Sequence, residues 1–494
     1  METAAGAAEC LLNKTVLVTG ATGFIAKILV EKILRMQPGV KRLYLLVRAA
    51  DQASAEKRVR SEIMQLPIFQ SLREKYQTHF SSWFWAKVFP GAGDVSLKDL
   101  GIRNVELVQD IAKETDIIIH MAATVNFRER YDTALATNTM GVKHVIEFAS
   151  RCTKLELLLL TSTCFVCVDK TGFMLEKPLQ QYRSLDGRSS LDISEEMALV
   201  EAKLKELVYS NASKDTIRST MKKIGAQRAR KFGWANSYAL TKAMGEMVAY
   251  EHRSRLPIVI IRPTATISAW KEPFPGWIEG ANTIDKWVTN YGKGYLKFLV
   301  GDVTNAIDIV PADIVVNAML LIVSRHPQGL DLIYHIGSSV RNPFKIGDLV
   351  RVMWRYFAEN PFVSAEGAVV KVEQPNVQAT MASFYELMNI HYKVPLQDML
   401  RRGLSTADDH SRYNRLKREY IVTVAIAEGY WPVTLFKGSF DDSNMQRLIA
   451  TMSERDTELI PCDTKLINWE KYLMETHIPG VMEFESREAA RARL

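Results

Sequence analysis

Cysteine is scarce in this chain: five thiols, Cys10, Cys152, Cys164, Cys167 and Cys462, are scattered over 494 residues. An odd number at irregular spacing excludes a disulfide framework and fits a reducing compartment. Cys164 and Cys167 form one C-x-x-C without a second pair to complete a zinc site. Both follow the apolar run 157–160, so core packing is expected of them and no metal site is expected. No uninterrupted apolar stretch approaches the ~20 residues of a membrane span. No secretory leader precedes the first strand-like run, which begins near Lys14. Charge of one sign is also missing: the net charge is only +7. No Lys/Arg block interleaved with aromatics is found, so a nucleic-acid partner is not expected. The mild positive balance suits small anionic ligands or an anionic membrane surface. Low-complexity tracts and internal repeats are absent as well.

What is there is a globular composition, 47% hydrophobic and 24% charged, long enough to bury a large core. The first half alternates apolar runs with helical patterns. Thr15–Thr19 and Arg42–Val47 read as strands, as do 116–120, 155–161 and 258–261, and a helix is expected over Phe24–Met36. Continuous apolar strands alternating with helices predict a parallel sheet covered on both faces. The predicted fold class is therefore α/β, a Rossmann-type doubly wound sheet. A smaller, mainly helical part is expected at the C-terminal end. Residues 14–358 read as the sheet-bearing domain and 385–482 as the second domain, joined by an irregular stretch over 359–380. Two insertions face the substrate side in this reading. Residues 60–90 are rich in aromatics, and 180–232 are polar, charged and helix-prone without an assignable role.

Four motifs carry chemistry. Gly20-Ala-Thr22-Gly23-Phe24-Ile25-Ala26 follows a strand and opens a helix. Gly20 would permit the tight turn, Gly23 would let backbone N–H groups approach a pyrophosphate, and the helix dipole favours the anion. Thr22, Phe24 and Ile25 belong to the same expected cofactor cradle. Arg48 stands at the end of the second strand, where NAD-binding folds usually carry an acidic residue. A basic residue there suits the 2′-phosphate of NADPH. Asp94 is a candidate for the adenine. Tyr238 and Lys242 are spaced i, i+4, on one helical face. The lysine ammonium is expected to lower the tyrosine pKa and to hold the nicotinamide ribose. Asn236 or Ser237 would cap that helix. Finally, Thr161-Ser162-Thr163 places hydroxyls at a strand end, on the sheet edge where such folds bind ligands. Thr163 is the preferred partner of Tyr238, with Ser162 as the alternative.

Glycine turn, strand-end hydroxyl and Y-x-x-x-K in this order resemble the extended short-chain dehydrogenase/reductase superfamily. His120-Met-Ala-Ala123, Asn138 and Arg262-Pro263 are similar to further segments of that superfamily. Glu272-Pro-Phe-Pro-Gly-Trp-Ile278, Asp308-Ile-Val-Pro-Ala-Asp313, Gly93-Asp-Val and Phe440-Asp-Asp-Ser-Asn444 narrow the likeness. They resemble the alcohol-forming fatty acyl-CoA reductases, in a plant-like form, from Lys14 to about Gly480. The resemblance implies a long-chain fatty acyl-CoA substrate and two NADPH-dependent reductions through an aldehyde to a primary alcohol, with release of coenzyme A. Tyr238, Lys242 and Thr163 would be the catalytic residues. It implies an intracellular protein, cytoplasmic or peripheral on the endoplasmic reticulum. The aromatics of 69–89 and Trp270–Trp277 would line an acyl channel, touch a membrane or fill the core. Reduction of another carbonyl (a sterol, a phenolic compound or a sugar nucleotide) and a non-enzymatic, NADP-responsive scaffold are the competing readings.

Overall fold

A computed structural model describes residues 6–168, 171–280, 282–326, 329–364 and 367–491. Seven parallel strands form the central sheet: β1 (Thr15–Thr19), β2 (Arg42–Val47), β3 (Val88–Ala92), β4 (Ile117–His120), β5 (Leu157–Thr161), β6 (Ile258–Pro263) and β7 (Ile333–Ile336). Their spatial order is 7-6-5-4-1-2-3. The chain reverses direction across the sheet between β1 and β4, where Thr19 pairs with His120. That reversal opens a crevice at the carboxyl ends of the strands.

The strands are apolar on both faces because helices cover both. Val16 and Val18 point into one apolar cluster and Leu17 into the other, the alternation that a pleated strand enforces. Leu157 and Leu159 of β5 split from Leu158 and Leu160 in the same way.

Seven helices matter for the site. α1 (Phe24–Met36) follows the glycine turn and α2 (Gln52–Val59) follows β2. α3 (Ile193–Tyr209) and α4 (Lys214–Lys231) make up most of the polar insertion. α5 (Ser237–His252) carries Tyr238 and Lys242, and α6 (Ala312–Arg325) is buried along its whole length. α7 (Ala407–Thr434) is a 28-residue helix of the C-terminal part, opened by a Thr406–Asp409 capping box.

The C-terminal part shares its core with the sheet-bearing part. Ile426, Met445, Trp469, Leu473 and Ile478 lie in the same apolar cluster as Leu29 of α1 and Leu320 of α6. Buried polar contacts cross the same boundary. Arg325 donates to Asp456 at 3.1 Å, and the Tyr472 hydroxyl donates to the Ser268 carbonyl at 2.6 Å.

Of the three readings for the aromatics, this arrangement favours core packing for the largest rings. Phe69, Phe80 and Phe84 are buried in the main core, and Tyr76 stacks on Trp83 at 3.9 Å between centroids. Trp277 is buried too. These rings pack the back of the sheet. The same stretch also hides β3, an edge strand whose Pro90 lacks the N–H that an inner strand would need. Cys164 is buried and Cys167 half-buried, as expected of packing thiols.

Candidate active site

Gly20 leaves β1 with φ of 70°, in the left-handed region that glycine adopts freely. A Cβ on Gly20 would sit 2.6 Å from the backbone nitrogen of Ala122, so only glycine lets this turn lie against the segment after β4. Gly23 is the N-cap of α1, and no side chain caps that helix. Its first-turn N–H groups are left for a ligand, at the positive end of the helix dipole. Gly20, Gly23, Phe24 and Ile25 all border one cavity of about 690 Å³. The bare turn and the uncapped helix fit a dinucleotide pyrophosphate.

Thr22, Arg48 and Asp94 do not border that cavity, although all three lie at the carboxyl edge of the sheet. Arg48 is exposed just beyond β2. Asp94 follows β3, and its carboxylate accepts from the Ser96 backbone and hydroxyl at 2.9 and 2.8 Å. Arg58, on α2, joins two of these positions. It donates to the Arg48 carbonyl at 2.7 Å and reaches the Thr22 hydroxyl at 3.5 Å. Sequence reasoning missed Arg58. The available signal was Asp51, whose side chain caps α2 and so turns the helix back along this edge.

Tyr238, Lys242 and Thr163 come together. Asn236 caps α5, accepting from the Ala239 N–H at 2.9 Å, which starts the helix one residue before the tyrosine. Tyr238 faces the Thr163 side chain, whose hydroxyl donates to the Pro263 carbonyl at 3.4 Å and accepts from the Phe165 N–H at 3.3 Å. The Lys242 ammonium donates to the Thr161 carbonyl at 2.8 Å. All three border the cavity, as does Ser162. Among the described residues, the buried Ser162 hydroxyl has no hydrogen-bond partner. Of these two hydroxyl residues, Thr163 is the one that faces Tyr238.

The electrostatics differ from the sequence expectation. Burial pushes the Tyr238 phenol up to about 12, with the Thr163 hydrogen bond acting in the opposite sense. Burial pushes Lys242 down to about 8, opposed by the charge of Glu246. The lysine does not lower the tyrosine here, because its ammonium is directed at the Thr161 carbonyl. Beneath the crevice, His120 bonds Thr19 through Nδ1 at 2.8 Å, and burial holds its pKa near 3. A neutral imidazole therefore stitches β1 to β4.

Second elements hold this group in place. Asn138 accepts from the Thr124 N–H at 2.9 Å and donates to the Thr241 hydroxyl at 3.1 Å, tying the loop after β4 to α5. The polar insertion buttresses α5 from outside. Phe232, Trp234 and Val200 pack on Leu240, Met244 and Met247, and Glu196 takes Tyr131 and Arg228 as partners. The far wall comes from the C-terminal part, which sequence reasoning did not connect with the site. Ala425, Ile426, Gly429 and Tyr430 of α7 border the cavity. The Phe127 ring stands between them and Tyr238, 5.6 Å from the Tyr238 ring and 6.0 Å from that of Tyr430. No local motif marks these residues, because they meet α5 only through the fold.

Comparison with known proteins agrees with this geometry. Two family profiles, both described as male sterility protein, match residues 18–319 and 399–488. Fatty acyl-CoA reductase 1 of Arabidopsis thaliana is 43% identical over 96% of this chain and 98% of its own length. The alcohol-forming fatty acyl-CoA reductase of Simmondsia chinensis is 40% identical over 98% of this chain and 99% of its own. Among solved structures, the terminal R domain of the myxalamid biosynthetic pathway has a TM-score of 0.58 at 18% identity, covering 98% of this chain and 92% of that one. The reductase domain of a Mycobacterium tuberculosis nonribosomal peptide synthetase has a TM-score of 0.56 at 17% identity, covering 99% and 94%. The structural likeness establishes the fold, and the profile over residues 18–319 is an NAD-binding one, so the chain binds a nicotinamide dinucleotide. On sequence identity along almost its whole length, the chain belongs to the fatty acyl-CoA reductase family.

Proposed function

We propose that this protein reduces long-chain fatty acyl-CoA to a primary alcohol with NADPH, in two steps through an aldehyde. The observation that carries this reading is the meeting of Tyr238, Thr163 and Lys242 in a cavity that borders the uncapped end of α1 and has an apolar far wall. NADPH, when bound, supplies the hydride. Gly20, Thr22, Gly23, Phe24 and Ile25 hold its pyrophosphate, and Asp94 is assigned to the adenine end. Arg48 receives the 2′-phosphate, with Arg58 beside it on α2.

The chain's own residues then do three things. Tyr238 and Thr163 donate hydrogen bonds to the carbonyl oxygen as it gains negative charge, which is the largest single contribution such a site makes. Coenzyme A leaves as the first tetrahedral adduct collapses to the aldehyde. In the second reduction Tyr238 gives its proton to the alkoxide. A phenol held up near 12 stays protonated at neutral pH and is ready to donate. Lys242 holds the ribose and orients the tyrosine's face of the site.

The test is direct. Purified protein is incubated with NADPH and acyl-CoAs of graded length, and the products are identified. Fatty alcohol with stoichiometric free coenzyme A is the expected result. Aldehyde as the sole product would confine the enzyme to one reduction, and no turnover of any acyl-CoA would overturn the reading. Peripheral membrane contact belongs to the same proposal, since long-chain substrates partition into bilayers. Among the described residues no helix is long and apolar enough to cross a membrane.

A further inference from the structure

We infer that Gly429 is the chain-length gauge of the cavity, and that the acyl chain runs along α7 past this position. The inference rests on the acyl-CoA reading above and adds the residue that would set its specificity. It starts from how the cavity divides. The glycine turn and the start of α1 line one end, which the dinucleotide claims. Asn126 and Lys286 line an exposed, polar stretch suited to the anionic coenzyme A portion. Phe127, Phe165 and the inner face of α7 form the apolar part of what remains, facing a polar side made by Thr264, Thr266, Asn282 and Thr283.

On that face Ala425, Ile426, Gly429 and Tyr430 follow the i, i+1, i+4, i+5 spacing of one helical side. Gly429 interrupts it with a gap. Outside the glycine's own helical surroundings, no heavy atom of the described residues lies within 4 Å of where a Cβ would stand. Most other helical glycines of the chain are crowded: a Cβ on Gly245 would meet the Asn138 carbonyl at 2.5 Å, and one on Gly292 the Phe357 ring at 2.4 Å. Packing therefore does not demand glycine at 429, and neither does a positive φ, although Pro432 interrupts the hydrogen-bond ladder of α7 three residues further on. Glycine is in fact the weakest ordinary helix former available there. What glycine leaves at this point of the cavity border is free space. The gap is held at a fixed distance from the catalytic group. Glu428, the preceding residue, pairs with Arg128 at 3.0 Å, and Tyr430, the following one, meets Phe127.

A side chain at 429 would occupy the space that methylenes of a long chain need, while shorter chains would end before it. An apolar pocket discriminates about 10- to 200-fold per methylene excluded or lost. The experiment compares wild type with Gly429→Ala, Gly429→Val and Gly429→Phe, using NADPH and saturated acyl-CoAs from medium to very long chain. NADPH affinity and far-UV circular dichroism report whether each variant is folded. The ratio of kcat/KM for the longest substrate to that for the shortest should fall stepwise with side-chain volume, by tenfold or more in the Phe variant. Ile426→Ala, which enlarges the same wall, should move the preference the other way. If Phe cannot be accommodated, the Ala and Val variants decide by the same ratio. An unchanged ratio in folded variants overturns the inference, and so does a uniform loss at every length, which would put the coenzyme A arm in this space. Failure of wild type to reduce any acyl-CoA would instead remove the functional reading beneath it.

Discussion

Tyr238, Thr163 and Lys242 differ in how their loss should register. Tyr238→Phe keeps the ring against Phe127 but removes the proton donor, so turnover should fall by at least ~10²-fold with NADPH binding retained. A turnover number near wild type would take Tyr238 out of the chemistry. Lys242 gives a pH signature instead. A lysine pushed down to about 8 is cationic below that pH and neutral above it. kcat/KM for NADPH should therefore decline as pH rises through about 8, and Lys242→Met should abolish that limb of the profile. Arg48→Ala and Arg58→Ala should each weaken NADPH far more than NADH, by roughly tenfold or more if each loses a charge-assisted hydrogen bond worth ~1.5–3 kcal/mol. Equal losses for the two dinucleotides, read by fluorescence titration, would separate these arginines from the 2′-phosphate.

Much of the site is legible in short motifs because it is local. The turn Gly20–Gly23 and the pair Tyr238/Lys242 are each set by a few successive residues on a strand end or one helical turn. The protonation state of Tyr238 was not legible, because burial depends on what the fold brings over it. Phe127 and Gly429 escaped for the same reason: only tertiary packing brings them to the cavity that Tyr238 borders.

At the level of elements, the runs Thr15–Thr19, Phe24–Met36 and Arg42–Val47 have the bounds their sequence pattern predicts. β3 and β7 went unread. β3 carries a proline and sits among aromatics, and β7 is only four residues long, so neither has a clean strand pattern. The motif Asp308–Asp313 shows how a family-like string can be structural. Asp313 accepts the backbone N–H groups of Trp270, Lys271 and Glu272 at 2.8, 2.8 and 3.1 Å. Asp308 accepts those of Ser338 and Ser339 at 2.7 and 3.1 Å. Two buried carboxylates thus replace missing backbone acceptors in two loops. The polar insertion 180–232, which sequence reading left without a role, is a brace for α5. Glu196→Ala would strand the Tyr131 hydroxyl and the Arg228 guanidinium, at a cost of about 2 kcal/mol. A urea midpoint unchanged in that variant would remove the brace from the stability of the fold.

Taken whole, the molecule should unfold as one unit despite its two family segments. Trp469 and Ile478 belong to the same buried cluster as Leu29 and Leu320, and Arg325 and Asp456 face each other across the boundary with both side chains buried. Tryptophan fluorescence and far-UV circular dichroism should give coincident urea transitions. A plateau between two transitions would mean that the C-terminal part folds separately. The sequence reading placed a boundary in the irregular stretch 359–380, yet Asn376–Gln378 within it pairs with Phe298–Val300. Composition could not reveal the shared core, since apolar residues on either side of a linker look alike whether they pack together or apart.

The reaction chamber spans the chain from Gly20 to Tyr430. During translation, at ~5–20 residues per second, the nucleotide-binding half is complete well before α7 leaves the ribosome. For that interval the nascent polypeptide carries an open crevice with apolar walls and no enzymatic competence. Splice forms or nonsense alleles ending before α7 would therefore yield a protein that chaperones must shield and that makes no alcohol, however intact its first four hundred residues.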